Sequence, residues 1–170
     1  MPTATVVNTF EIGKATLELA RRSTLKLVAD IPAEHHCHQP VPKANHATWV
    51  LGHLANTDNF FLTSLGGRDP VIDKSWGDLF GMGSEPTGDP GRYPSLTEVK
   101  AGCERARAAL IDWFASMDDQ KLQSPLPDQM KGFAPNYAGV MGTLAWHEGL
   151  HAGQLSAVRR SLGLPYALEV

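Results

Sequence analysis

Residues 145–165 read "AWHEGLHAGQLSAVRRSLGLP", and the periodicity of this stretch decides the fold class. His147 and His151 stand four apart, so a helix places them about 40° apart on one face at about 100° per residue. Leu144, Leu155, Val158 and Leu162 share that face, which turns both imidazoles toward an apolar interior. Gly163 and Pro165 follow as a helix stop. Two buried imidazoles need partners for their ring nitrogens, and a divalent metal supplies one. The competing reading is a helix surface that happens to carry two histidines.

Three further stretches carry helical periodicity. Residues 8–31 place Phe10, Leu17, Thr24 and Ile31 seven apart, with Ala20 and Leu27 on the same stripe and Pro32 as the stop. Residues 45–67 run from a candidate N-cap at Asn45 to Gly66-Gly67. Residues 95–119 open on Ser95 and Glu98, a capping box, and carry the line Val99, Cys103, Ala106, Leu110, Trp113, Met117. With residues 137–162 these make four helices. No run alternates at period two, so the expected class is all-α: a single domain over 1–170, a four-helix bundle with a long crossover between helices two and three. That crossover, "GGRDPVIDKSWGDLFGMGSEPTGDPGRYP", exceeds the usual bundle connection of about 2–8 residues. Trp76, Leu79 and Phe80 give it an apolar anchor, so an ordered flap is expected. Trp113 and Phe114 are adjacent and cannot both point directly into one core, which reserves one of them for an interface.

Helix two supplies a third metal ligand. His53 lies on the line Trp49, His53, Asn56, Phe60, and with a waiting pair on another helix the ligand reading outweighs that of a satisfied core histidine. Three histidines leave an open coordination position, as catalytic sites do. The louder cluster, His35, His36 and His38 around Cys37, sits in a proline-flanked loop without a common face and is read as solvated. His46, two turns before His53, is held in reserve.

HEGLH also matches the zinc-protease pattern H-E-x-x-H, yet the match fails beyond its five letters. A longer protease motif would place Gly at 154 and His at 157, where Gln154 and Ala157 stand. A downstream glutamate ligand is missing too, because Glu169 in the tail is the sole remaining carboxylate. The chain is not read as a zinc protease.

From about Phe10 to Pro165 the order of features resembles the DinB/YfiT-like superfamily of metal-binding four-helix proteins. "WVLGHLANTDNFFL", "SWGDLFGMG", "YPSLTEVKAGCERARAAL" and above all "LAWHEGLHAGQLSAVRRSLGLP" carry the likeness. The resemblance implies one divalent ion, zinc, nickel or iron, on His53, His147 and His151. It also implies an intracellular protein that transfers a low-molecular-weight thiol, with hydrolysis as the alternative activity and a homodimer as the common assembly. Gly149-Leu150 departs from the pattern, since many relatives carry a further histidine there.

The 170 residues carry a net charge of −3 and are 42% hydrophobic, which suggests neither nucleic acid nor an anionic membrane as partner. No leader segment is visible in "MPTATVVNTFEIGK" and the two cysteines form no disulfide framework, so a cytoplasmic location is expected. Around the metal, Trp49, Asn56 and Phe60 should line a pocket for a small-molecule substrate, covered by Trp76 and Phe80. Glu148, about 80° from the mean direction of the two histidines, is read either as a proton acceptor or as a solvated or salt-bridged residue. Gln154 lies nearer the metal face and is expected to hydrogen-bond a ligand or a metal-bound water. A non-catalytic sensor of a small molecule remains the reading from another class.

Overall fold

A computed structural model describes residues 8–168; residues 1–7, read above for a leader segment, and Glu169 lie outside the described residues. Within them the chain is all helical, with four long helices and two short ones. The long helices are α1 (Thr9–Val28), α2 (Ala47–Ser64), α4 (Leu96–Ala115) and α6 (Tyr137–Ser161); the short ones are α3 (Trp76–Phe80) and α5 (Asp119–Gln123). The long helices pack chiefly as two pairs, α1 with α6 and α2 with α4, and α2 also meets α6. No helix among the described residues is long and apolar enough to cross a membrane.

The ends follow local chemistry. Ser95 Oγ accepts from the Glu98 N–H, and Asn136 Oδ1 caps α6 through the Gly139 N–H. The α6 stop falls where expected: Gly163 takes φ +71°, open to a residue without Cβ. One cap is displaced by a residue. His46, not Asn45, caps α2, its Nδ1 accepting from the Trp49 N–H at 3.2 Å.

Two apolar clusters fill the interior. One gathers Leu27, Val50, Leu54, Val99, Leu155 and their neighbours; the other gathers Leu17, Phe61, Leu110, Phe114, Leu144 and theirs. Between them lies a layer of charge that the apolar stripes did not announce. Each long helix contributes one residue to it: Arg21, Asp58, Arg107 and Glu148. On every helix that residue falls between a member of the first cluster and a member of the second, as Arg107 does between Ala106 and Leu110.

The layer is buried and its charges are paired. Side-chain exposure is 7% for Arg21, 5% for Arg107, 1% for Asp58 and 0% for Glu148. Arg21 donates to Glu148 at 2.7 Å and to Asp58 at 3.1 Å, while Arg107 donates to Glu148 at 2.8 Å and to both Asp58 oxygens at 2.8 and 3.0 Å. The remaining guanidinium donors cross between α1 and α4, which otherwise touch little: Arg21 reaches the Cys103 carbonyl, and Arg107 the Leu17 carbonyl. Two cations and two anions leave the layer neutral.

The crossover, residues 65–95, is anchored by its aromatic pair. Trp76 and Phe80 are buried, each in a notch where a glycine replaces a side chain. A Cβ on Gly52 of α2 would stand 2.5 Å from the Phe80 ring, and one on Gly102 of α4 would stand 2.4 Å from the Trp76 ring. These rings therefore belong to the core, and the expectation that they cover a pocket is corrected. So is the argument that reserved Trp113 or Phe114 for an interface. Phe114 is fully buried, and Trp113 lies flat enough to pack under Gly66 and beside Tyr137 while remaining 7% exposed.

Replacing Glu148 by Gln removes one anion from the charge layer and leaves two buried guanidinium groups facing Asp58 alone. Losing a partner in such a site costs about 3–5 kcal/mol. Urea denaturation of Glu148→Gln should show that loss through a lower midpoint at an unchanged slope.

Candidate metal centre

The pairing of α2 with α6 brings together the three histidines singled out from the sequence. Their ligand-capable nitrogens lie within 4.8 Å of one another, and they form the one group of three or more potential metal ligands found among the described residues. His147 Nε2 stands 3.1 Å from His151 Nε2 and 3.3 Å from His53 Nε2. Ligand bonds of about 2.0–2.1 Å in tetrahedral geometry place donor atoms about 3.3–3.4 Å apart, so the spacing fits a single ion.

Hydrogen bonding at the far side of the rings fixes which nitrogen is free. His53 Nδ1 donates to the Phe80 carbonyl at 2.7 Å, an acceptor left open at the end of α3. His151 Nδ1 donates at 2.8 Å to Gln154 Oε1, which also accepts from Asn45 Nδ2 at 2.9 Å. Both rings therefore turn an Nε2 lone pair toward His147. A proton on His147 Nε2 can serve only one of them, and His147 Nδ1 is itself buried without a partner. One divalent ion would accept all three Nε2 lone pairs at once, leaving the His147 proton on Nδ1 at the far side of its ring. Trp49 completes the setting by stacking on His53, centroids 4.7 Å apart and planes 8° from parallel, with its indole N–H donating to Ser84.

Burial holds all three imidazoles below their ordinary value of 6.5, His151 as low as about 4, so they stay neutral and metal-competent at pH 7.

Residues 16–155 match the family model described as the DinB superfamily. The chain belongs to the DinB superfamily. A solved structure, the crystal structure of a conserved protein from Enterococcus faecalis, matches this DinB chain with a TM-score of 0.70. The match covers 93% of this chain and 99% of that one at 14% identity, a likeness of fold alone. None of the curated proteins compared with it matches.

Beside the cluster, the DinB chain opens a cavity of about 360 Å³, floored by His53 and His147. Asn56 and Phe60 line it. Trp49 does not: it sits in the core behind His53. Sequence reasoning missed Met82, Phe133, Thr143 and Trp146 on its walls. Thr143 and Trp146 could have been found, since they precede His147 by four residues and by one on the same helix. Met82 and Phe133 come from irregular segments and carry no periodic signal.

Of the two readings of Glu148, the geometry is that of the salt-bridged one: both its oxygens accept from guanidinium groups in the charge layer. Gln154 holds the back of the His151 ring, away from the side where a ligand would bind. His46 caps α2 and packs edge-on to Tyr93, outside the cluster. The 35–38 loop is less solvated than expected, because His36 bonds the Ile31 carbonyl, His38 bonds Ser161 and Cys37 is buried.

Alanine at His53, His147 or His151 should each sharply reduce bound metal by elemental analysis. Changing His35, His36 and His38 together should leave the stoichiometry at one ion per chain.

Stability of the metal-free protein should depend on pH in a defined window. His46 and His151 titrate near 4 in the folded chain against 6.5 unfolded, and burial causes both shifts. Between those values the unfolded chain binds more protons, so stability is complete above pH 6.5 and declines as pH falls toward 4. Denaturation across that range should give a shallower decline for His46→Asn, which keeps a capping acceptor but does not titrate.

Proposed function

We propose that this DinB-superfamily protein holds one divalent ion, zinc, nickel or iron, on His53, His147 and His151 and transfers a low-molecular-weight thiol to a small electrophile. The observation that carries the reading is the convergence of three imidazole nitrogens beside a cavity that His53 and His147 line and that no carboxylate among the described residues lines. A divalent ion bound there would supply Lewis acidity, bringing the pKa of a thiol or a water toward neutrality.

The chain's own residues divide the remaining work. Phe80 and Gln154 hold two of the ligand rings by their Nδ1 protons. The apolar walls exclude water and receive the electrophile. Neither cysteine can be the thiol: both are buried, and burial pushes Cys103 up to about 12. The thiol must therefore arrive as a second substrate. Hydrolysis is the alternative reaction: a bound water, like a bound thiol, would give up its proton to solvent, since among the described residues no carboxylate lines the cavity.

The test is a matrix of thiols (bacillithiol, mycothiol, glutathione) against electrophiles that include both 1-chloro-2,4-dinitrobenzene and iodoacetamide. In each pair the thiolate sulfur bonds to carbon as the halide leaves. Metal-loaded protein should accelerate at least one pair, and His151→Ala should return it to the uncatalysed rate while far-UV circular dichroism stays helical. Metal-dependent ester or amide hydrolysis with no thiol transfer would make the protein a hydrolase. Silence in both assays would favour a metal-dependent sensor.

A further inference from the structure

The wall of the cavity restricts what can enter it. Four large apolar side chains surround its mouth while remaining open to solvent: Met82 is 93% exposed, Trp146 65%, Phe60 41% and Phe133 40%. They come from α2, α6 and two irregular segments, so the chain folds four separate pieces to bring exposed apolar surface to one opening. Deeper in, Phe61 and Leu144 continue the same lining. Among the described residues, no lysine, arginine, aspartate or glutamate lines the cavity. The charges nearest in sequence, Asp58 and Glu148, belong to the buried layer, where guanidinium groups occupy them.

The polar groups that remain are neutral. Thr57 donates its hydroxyl proton to the His53 carbonyl, and Thr143 to the Phe133 carbonyl. The Asn56 amide is the other neutral polar side chain on the wall. It can meet one carbonyl or hydroxyl of a ligand. Size sets a second limit. An apolar cavity of about 150 Å³ holds one benzene ring, so about 360 Å³ admits a substituted or two-ring aromatic body.

We infer that the cavity takes an uncharged aromatic substrate of one or two rings bearing a single neutral polar group. This inference deepens the proposed thiol transfer and rests on it for the reaction, but the binding itself does not need the metal. An anionic group placed against the apolar walls, away from the histidines, would lose its hydration without gaining a cation or a set of donors.

The probes are 2-acetylnaphthalene and 2-naphthoate, matched in size and differing in charge. Each is titrated into chelator-treated full-length protein by calorimetry and by the indole N–H resonance of Trp146, assigned with Trp146→Phe. The ketone should bind and shift that resonance, with the carboxylate at least tenfold weaker. Phe60→Asp and Trp146→Ser, both at exposed positions, should each weaken the ketone at least tenfold while leaving the helical spectrum intact. Equal or tighter binding of the carboxylate, or no shift of Trp146 with either probe, would overturn the inference. So would unchanged ketone affinity in both variants. Failure here while thiol transfer to iodoacetamide proceeds would sink the substrate class and spare the reaction. Ketone binding without any thiol transfer would do the opposite.

Discussion

A neutral layer of two arginines and two carboxylates, one from each long helix, governs how this chain can pack. An ion in the interior is costly unless both its charge and its hydrogen-bonding capacity are met, and here each group is met by partners on other helices. Sliding any helix by one residue would rotate its charged side chain about 100° away from the others and leave three ions unbalanced. The layer thus fixes the relative height of all four helices. The apolar clusters above and below contribute most of the burial but could tolerate small shifts.

The candidate metal centre depends on that setting. Glu148 follows His147 directly, and Asp58 lies five residues beyond His53 on α2. Locking Glu148 against Arg21 and Arg107 sets the height and rotation of α6, and with them where His147 and His151 point. Locking Asp58 does the same for α2 and His53. A glutamate inside HEGLH invites a catalytic reading by analogy with zinc proteases, yet in this fold it shapes the site from behind.

Much of the fold could be read in the sequence, because four amphipathic stripes, the Ser95 cap and the glycine and proline stops are local signals. The three-histidine cluster was legible too, since a histidine pair one turn apart and a third on an apolar line need only the helical period. What escaped was what depends on partners. Arg21 is four residues past Leu17 and Arg107 four past Cys103, both in register with the buried stripes, but a charge there is interpretable only once its counter-charge is found on another helix. The notches at Gly52 and Gly102 were hidden for the same reason: nothing near them in sequence names the aromatic rings they receive. Trp49 was misplaced because a shared helical line gives direction without depth.

Among the three ligand rings, His53 is oriented by a carbonyl from the short crossover helix, not by a long one. That helix is held chiefly by two aromatic rings seated in glycine notches. Segments with few anchors open locally at lower free energy than the whole molecule unfolds. Such an opening would free the His53 ring to rotate while His147 and His151 stayed in place. Exchange of an ion at this centre would then follow the breathing of the crossover, so the residence time of the metal and the global stability of the protein could be tuned independently.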